Sequence, residues 1–263
     1  MNWIDVNGVA MRYELSGSDR RLLVLIHEMG GALESWDLVL PALVERRRVL
    51  RYDVRGAGLS EKIRGTLSID DAADDLVALL DALDIPGPVA VAGCAVSAAI
   101  AIRAAARFGE RVGALIAMAP ATGIPPERRA ETLAFADRLE REGVRASIGD
   151  RSPRSYPEEL RQDTERFRQF RARQLCSDPE SYAATYRMLV HLAMEGDFAR
   201  IRCPTLVIAG TLDQSRPPST VEPVARAIAN ARFEVLRTGH FMALQSPELV
   251  APLVADFLAR LDL

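Results

Sequence analysis

One junction in the chain has residue types and spacing suited to chemistry on a carbonyl. From Val89 the sequence reads VAVAGCAVSAAIAIRAAARF, an apolar strand followed by a small-residue helix, with Gly93-Cys94-Ala95-Val96-Ser97 at the join. A nucleophile at such a strand-to-helix turn stands clear of the backbone, while amides at the helix start point at the reacting carbonyl oxygen. The turn requires small residues two before and two after its apex. Gly93 and Ser97 hold those offsets around Ala95, and Ala98 and Ala99 keep the helix start slim. The spacing therefore centres the turn on Ala95, whose methyl group neither attacks a carbonyl nor donates a proton.

The elements that must position this junction alternate along nearly the whole chain. WIDVNGVAMRYEL predicts two strands around an Asn7-Gly8 turn. RLLVLIH is a continuous apolar run of the kind a strand buried on both faces requires. SWDLVLPALVE reads as helix, RRVLRYDV as strand and SIDDAADDLVALLDALDI as helix, with Ser68 at the N-cap and Asp70 and Asp71 in the first turn. The strands PVAVAGC and VGALIAMAP follow, and the alternation resumes with PTLVIAG, STVEPVARAIAN, RFEVLRTG and a closing helix from Ser246. Such alternation implies a mainly parallel sheet with helices on both faces. The interruption at 124–200 opens with Pro125-Pro126 and has helical periodicity throughout, too long for a connecting loop. It reads as a helical cap inserted after the sixth strand, with 1–123 and 201–263 forming the core.

Composition narrows the function classes. The 263 residues are 49% hydrophobic and 26% charged, with a formal net charge of −3. Both signs are interspersed, which gives no footprint for nucleic acid or an anionic membrane. The start, MNWIDVNGVAMRYELSG, lacks the basic and apolar regions of a signal peptide, and no run is long enough to span a membrane. Cys94, Cys176 and Cys203 have neither metal-ligand spacing nor the even number of a disulfide set. A cytoplasmic, reduced protein without metal or cofactor is the expectation, with a small molecule as partner. The oligomeric state is not legible in the sequence.

Around the junction the chain resembles the α/β-hydrolase family, and the resemblance covers nearly everything but the cap. The family's elbow is Gly-x-Ser-x-Gly; here Gly93 matches, Ala95 replaces the serine and Ser97 the second glycine. YDVRGAGLS, with Asp53, Arg55, Gly56, Gly58 and Ser60, is similar to the structural turn after the fourth strand. The resemblance implies an eight-stranded, mainly parallel α/β fold with a helical cap. It places the catalytic acid at Asp213 in TLVIAGTLDQSRPP and the base at His240 in LRTGHFMALQSPE. The carboxylate would fix the imidazole's tautomer, and the imidazole would take a proton from a nucleophile or water.

LIHEMGGALESWD resembles the oxyanion loop. In it His27 matches the family histidine, Met29 supplies one backbone N–H and Val96 would supply the other. Glu28 departs from the usual glycine and puts a carboxylate beside the pocket, either to repel anions or to act as an acid–base group. His27 reads more readily as a brace than as a base, His191 as a packed helix residue and Cys94 as a small buried filler. In the cap, Arg166 and Arg173 share a helix face at i,i+7 and could clamp a carboxylate; the alternative is a solvated arginine-rich face. Phe167 and Phe170 would pack the cap onto the core.

Four readings of Ala95 stay open. The chain is a Ser→Ala variant; it natively works without serine through His240 and Asp213; the elbow slips so that Ser97 attacks; or Cys94 is the nucleophile. Slippage breaks the downstream spacing, and Cys94 would need the β-branched Val96 at a small-residue offset. GTLDQSRPP, ARFEVLRTGHF and QSPELV are most similar to the 3-oxoadipate enol-lactonase group. That resemblance implies a hydrolase acting on a small carboxylate-bearing lactone, ester, amide or diketone. The contrasting reading is a non-catalytic small-molecule receptor derived from a hydrolase.

Overall fold

The structure, a computed structural model, describes residues 2–148 and 152–261. Eight strands form one sheet: β1 (Asn2–Val6), β2 (Val9–Ser16), β3 (Leu22–Ile26), β4 (Arg48–Tyr52), β5 (Val89–Cys94), β6 (Val112–Met118), β7 (Thr205–Gly210) and β8 (Ala231–Leu236). Their order is β1-β2-β4-β3-β5-β6-β7-β8. The first hairpin and the β2–β4 pair are antiparallel, and the other pairings are parallel. Positive φ at both Asn7 (51°) and Gly8 (74°) gives the two-residue turn whose twist suits a hairpin.

The continuous apolar strands are buried on both faces, as their sequences predict. Val24 and Ile26 of β3 face one core cluster, whereas Leu23 and Leu25 face the other. Between β3 and β5 the chain forms a 3-10 turn (Leu33–Trp36), α1 (Leu40–Val44) and α2 (Ile69–Ala82). Ser68 and Asp71 close a reciprocal capping box at the start of α2. The elbow helix α3 (Val96–Arg107) packs with α2 on one face.

The crossing from β6 to β7 is helical among the described residues: α4 (Pro126–Ile148), α5 (Ser152–Ser155), α6 (Thr164–Leu175), α7 (Pro179–His191) and α8 (Glu195–Phe198), besides one short 3-10 turn. Gly143, with φ 81° and ψ 169°, breaks α4. Phe135, Leu139 and Val144 of α4 meet Tyr182 and Ala183 of α7 in a cluster of their own. After β7 come α9 (Pro218–Ala227), α10 (Met242–Gln245) and α11 (Pro247–Ala259), the last packing on the opposite face of the sheet from α3.

Phe170 joins α6 to the core, its ring centroid 4.8 Å from that of Phe241, and Phe167 lies 5.0 Å from Tyr156 in the same cluster. His191 differs from expectation. It is the final residue of α7 and is exposed, although Met188, Leu189 and Val190 before it are buried.

Candidate active site

Ala95 sits between the end of β5 and the start of α3 with φ 57° and ψ −115°. A residue with a Cβ rarely adopts this conformation, and it persists only where the surroundings enforce it. Here the Ala95 N–H donates to Met118 at 2.9 Å, and its carbonyl accepts from Ala121 at 3.0 Å, so β6 and its exit loop hold the apex. Gly93 is compelled by the same turn, since a Cβ there would lie 2.3 Å from the Ser97 carbonyl oxygen.

The structure gives the two alternative nucleophiles other work. Ser97 is buried in the first turn of α3, and its hydroxyl donates a short hydrogen bond to the His27 carbonyl. That bond ties the elbow helix to the oxyanion loop and points the oxygen away from attack. The Cys94 thiol is buried and lies 3.2 Å from the His240 carbonyl oxygen. Burial pushes it well above the ordinary thiol range, with the Glu28 carboxylate adding to the shift. An un-ionised buried thiol is a poor nucleophile.

Asp213 and His240 come together although 27 residues separate them, with His240 Nδ1 2.6 Å from Asp213 Oδ2. The other oxygen, Oδ1, accepts the N–H groups of Ser215 at 2.8 Å and Arg216 at 2.9 Å, so Asp213 shapes its own loop while holding the imidazole. With Nδ1–H directed at the carboxylate, the Nε2 lone pair is the one able to take a proton. A brace not legible in the sequence comes from the cap side. The Ser155 carbonyl accepts the His240 N–H at 3.1 Å and the Gln245 amide at 2.8 Å.

His27 is fully buried and braces the loop. Its Nε2 accepts the Val54 N–H at 3.1 Å, which fixes the other nitrogen, Nδ1, as the donor to the Glu28 carbonyl at 2.8 Å. Both ring nitrogens are thereby engaged and neither is available as a base. The Glu28 carboxylate is buried and turned into its own loop, where Oε1 accepts the Ser35 hydroxyl at 2.8 Å. Gly31 makes room for it, because a Cβ there would lie 2.5 Å from that oxygen. Met29 and Val96 both line the cleft beside the elbow. Among the described residues the Met29 N–H has no backbone acceptor, and Val96, as the first residue of α3, has none within its helix.

The walls of the cleft include Leu67, Val96, Ile100, Tyr182 and Met188. Arg55 also lines it but is held in two hydrogen bonds by the buried Asp75. Below it, Asp53 accepts the N–H groups of Leu33 at 2.7 Å and Leu59 at 2.8 Å and pairs with Arg12. The structural turn therefore anchors the oxyanion loop to β2. Arg166 and Arg173 both lie on α6. Arg166 pairs with Asp163 at 3.3 Å and reaches the Leu244 carbonyl, and the charge of Arg173 acts on Glu34.

The sequence matches the alpha/beta hydrolase family over residues 23–253. It is 25% identical to 3-oxoadipate enol-lactonase 2 of Acinetobacter baylyi across 91% of this chain and 90% of that one. It is 30% identical to 2-hydroxymuconate semialdehyde hydrolase of Pseudomonas sp. strain CF600 across 91% and 87%. The fold superposes on the enol-lactonase of Burkholderia xenovorans LB400 with a TM-score of 0.91 at 27% identity, covering 98% of this chain and 100% of that one. Sheet order, elbow, acid–imidazole pair and relatives agree: the chain belongs to the alpha/beta hydrolase family, as a hydrolase of its enol-lactonase-like group.

Proposed function

We propose that this protein hydrolyses a small carboxylate-bearing lactone, ester, amide or diketone with water in the nucleophile's role. His240 takes the proton and Asp213 holds the imidazole. One observation carries the reading: the 2.6 Å contact between His240 Nδ1 and Asp213 is kept beside an elbow whose apex is alanine. A buried carboxylate left without partners would be costly, and this one is fully engaged with the imidazole and its own loop. The enol-lactonase relatives support the substrate class.

In the step, the water oxygen bonds to the acyl carbon as its proton passes to Nε2. The carbonyl electron pair moves onto oxygen, where the N–H groups of Met29 and Val96 receive the developing charge. Collapse of the tetrahedral intermediate breaks the bond to the leaving group, and Nε2–H returns the proton to it.

Hydrolysis of p-nitrophenyl acetate by the parent, Ala95→Ser and His240→Ala tests this. Parent turnover falls roughly 10²–10⁴-fold in His240→Ala if the imidazole is the base. Turnover indifferent to His240 overturns the reading. A silent parent with a large gain in Ala95→Ser identifies instead a serine hydrolase disabled at its apex. Tight binding without turnover in either form identifies a receptor, the reading that the bare Ala95 methyl by itself favours.

A further inference from the structure

We propose that Arg216 binds a carboxylate group of the substrate and makes the site selective for anionic acyl compounds; this rests on the hydrolytic reading above. Arg216 stands three residues after Asp213 on the β7 exit. Its guanidinium reaches across to the β6 exit, donating to Thr122 Oγ1 at 3.2 Å and to the Gly123 carbonyl at 3.2 Å. Ala121, the residue before Thr122, donates to the Ala95 carbonyl at 3.0 Å. Ala95, Thr122, Arg216 and His240 thus follow the adjacent strands β5, β6, β7 and β8 at one edge of the sheet. Open α/β sheets bind ligands at this edge. The helical insert passes close to the same place, for a Cβ on Gly123 would lie 2.6 Å from the Leu192 carbonyl oxygen.

Among the described residues no carboxylate forms an ion pair with the Arg216 guanidinium, although the Asp213 carboxylate acts on it from nearby. Arg12, Arg51, Arg55, Arg103 and Arg111 each reach a carboxylate. Among the described residues, Arg216 forms no ion pair, and its two side-chain hydrogen bonds go to neutral oxygens. Burial lowers its pKa, with Asp213 opposing that shift. A guanidinium has five N–H donors in a planar fork that matches a carboxylate, so a ligand anion would balance the charge and occupy donors still free. The competing role is a staple joining two strand exits, which needs no ligand.

Calorimetric titration with monomethyl succinate and with dimethyl succinate separates the two roles, since these probes share a skeleton and differ by one charge. The parent should bind the monoester about tenfold or more tightly than the diester. Arg216→Gln should bind both alike. Thr122→Val, which removes one staple contact and keeps the charge, should preserve the preference. Equal affinities in the parent, binding of neither probe, or an unchanged preference in folded Arg216→Gln overturns the proposal. Should Arg216→Gln fail to fold, Arg216→Lys decides: the fork becomes a point charge and the preference must shrink, and an unchanged preference overturns it. Loss of the hydrolytic reading looks different. Turnover is then absent while the binding preference persists, and the role of Arg216 stands without the chemistry.

Discussion

Asp213 divides its two oxygens between His240 and the backbone of its own loop, and that division governs what substitution does there. Asparagine at 213 keeps the shape but can present an amide N–H to Nδ1, favouring the wrong tautomer. Steady-state assays should show His240-dependent turnover falling by about 10⁴ in Asp213→Asn with little change in melting temperature. Ser97 should behave oppositely. Its hydroxyl braces the buried His27 carbonyl, so Ser97→Ala should lower stability by about 1–3 kcal/mol in denaturant titration while turnover persists. The cysteines give a third check. Cys176 is exposed, whereas Cys94 is buried with its thiol pushed up. A colorimetric thiol reagent should therefore label Cys176 in the native protein and reach Cys94 only on unfolding.

Among the elements, the β5–α3 elbow is where local sequence and tertiary packing constrain each other most closely. The backbone at Ala95 is strained, and Gly93 lies against the Ser97 carbonyl with no room for a side chain. Gly93→Ala must displace backbone atoms. Chemical denaturation should report a loss of roughly 3 kcal/mol or more, a size reserved for backbone or core disruption. Ala98 and Ala99 are fully buried, which explains why the helix start is built from small residues. The oxyanion loop depends on the same elbow, since Ser97, His27 and Val54 form one chain of hydrogen bonds from α3 to the turn after β4.

Across the whole molecule, the helices between β6 and β7 are fastened to the rest at two places. At one, Phe170 packs on Phe241, directly after His240. At the other, Asp178 caps α7, accepts from Arg64 at 2.9 Å and from the Ser181 hydroxyl at 2.7 Å, while Ser181 Oγ accepts the Ile63 N–H at 2.9 Å. Burial pushes the Asp178 carboxyl up, but the bonds from Arg64 and Ser181 outweigh it and hold it below the usual carboxylate range. A carboxyl lowered on folding stabilises the fold above its unfolded pKa of about 4, and that stabilisation is lost as pH falls through the lower folded value. Melting temperatures measured downward from pH 5 should accordingly fall more steeply for the parent than for Asp178→Ala. At neutral pH the same substitution should cost about 1 kcal/mol through the lost cap.

The sequence alone determined the alternation of strands and helices, the Asn7-Gly8 hairpin, the helical character of the stretch between β6 and β7 and the centring of the strand-to-helix turn on Ala95. These rest on hydrophobic period, turn chemistry and steric size, which act between near neighbours. His240 and Asp213 were legible only through resemblance, because nothing local pairs residues on different loops. Tertiary structure decided the rest. It committed Ser97 and His27 to bracing, folded Glu28 into its own loop, exposed His191 and set the Ser155 carbonyl against the His240 N–H from 85 residues away in the chain. A hydroxyl, imidazole or guanidinium has the same chemistry wherever it sits. Which partner it finds is fixed by the packing of elements remote in sequence, and that packing assigns its role.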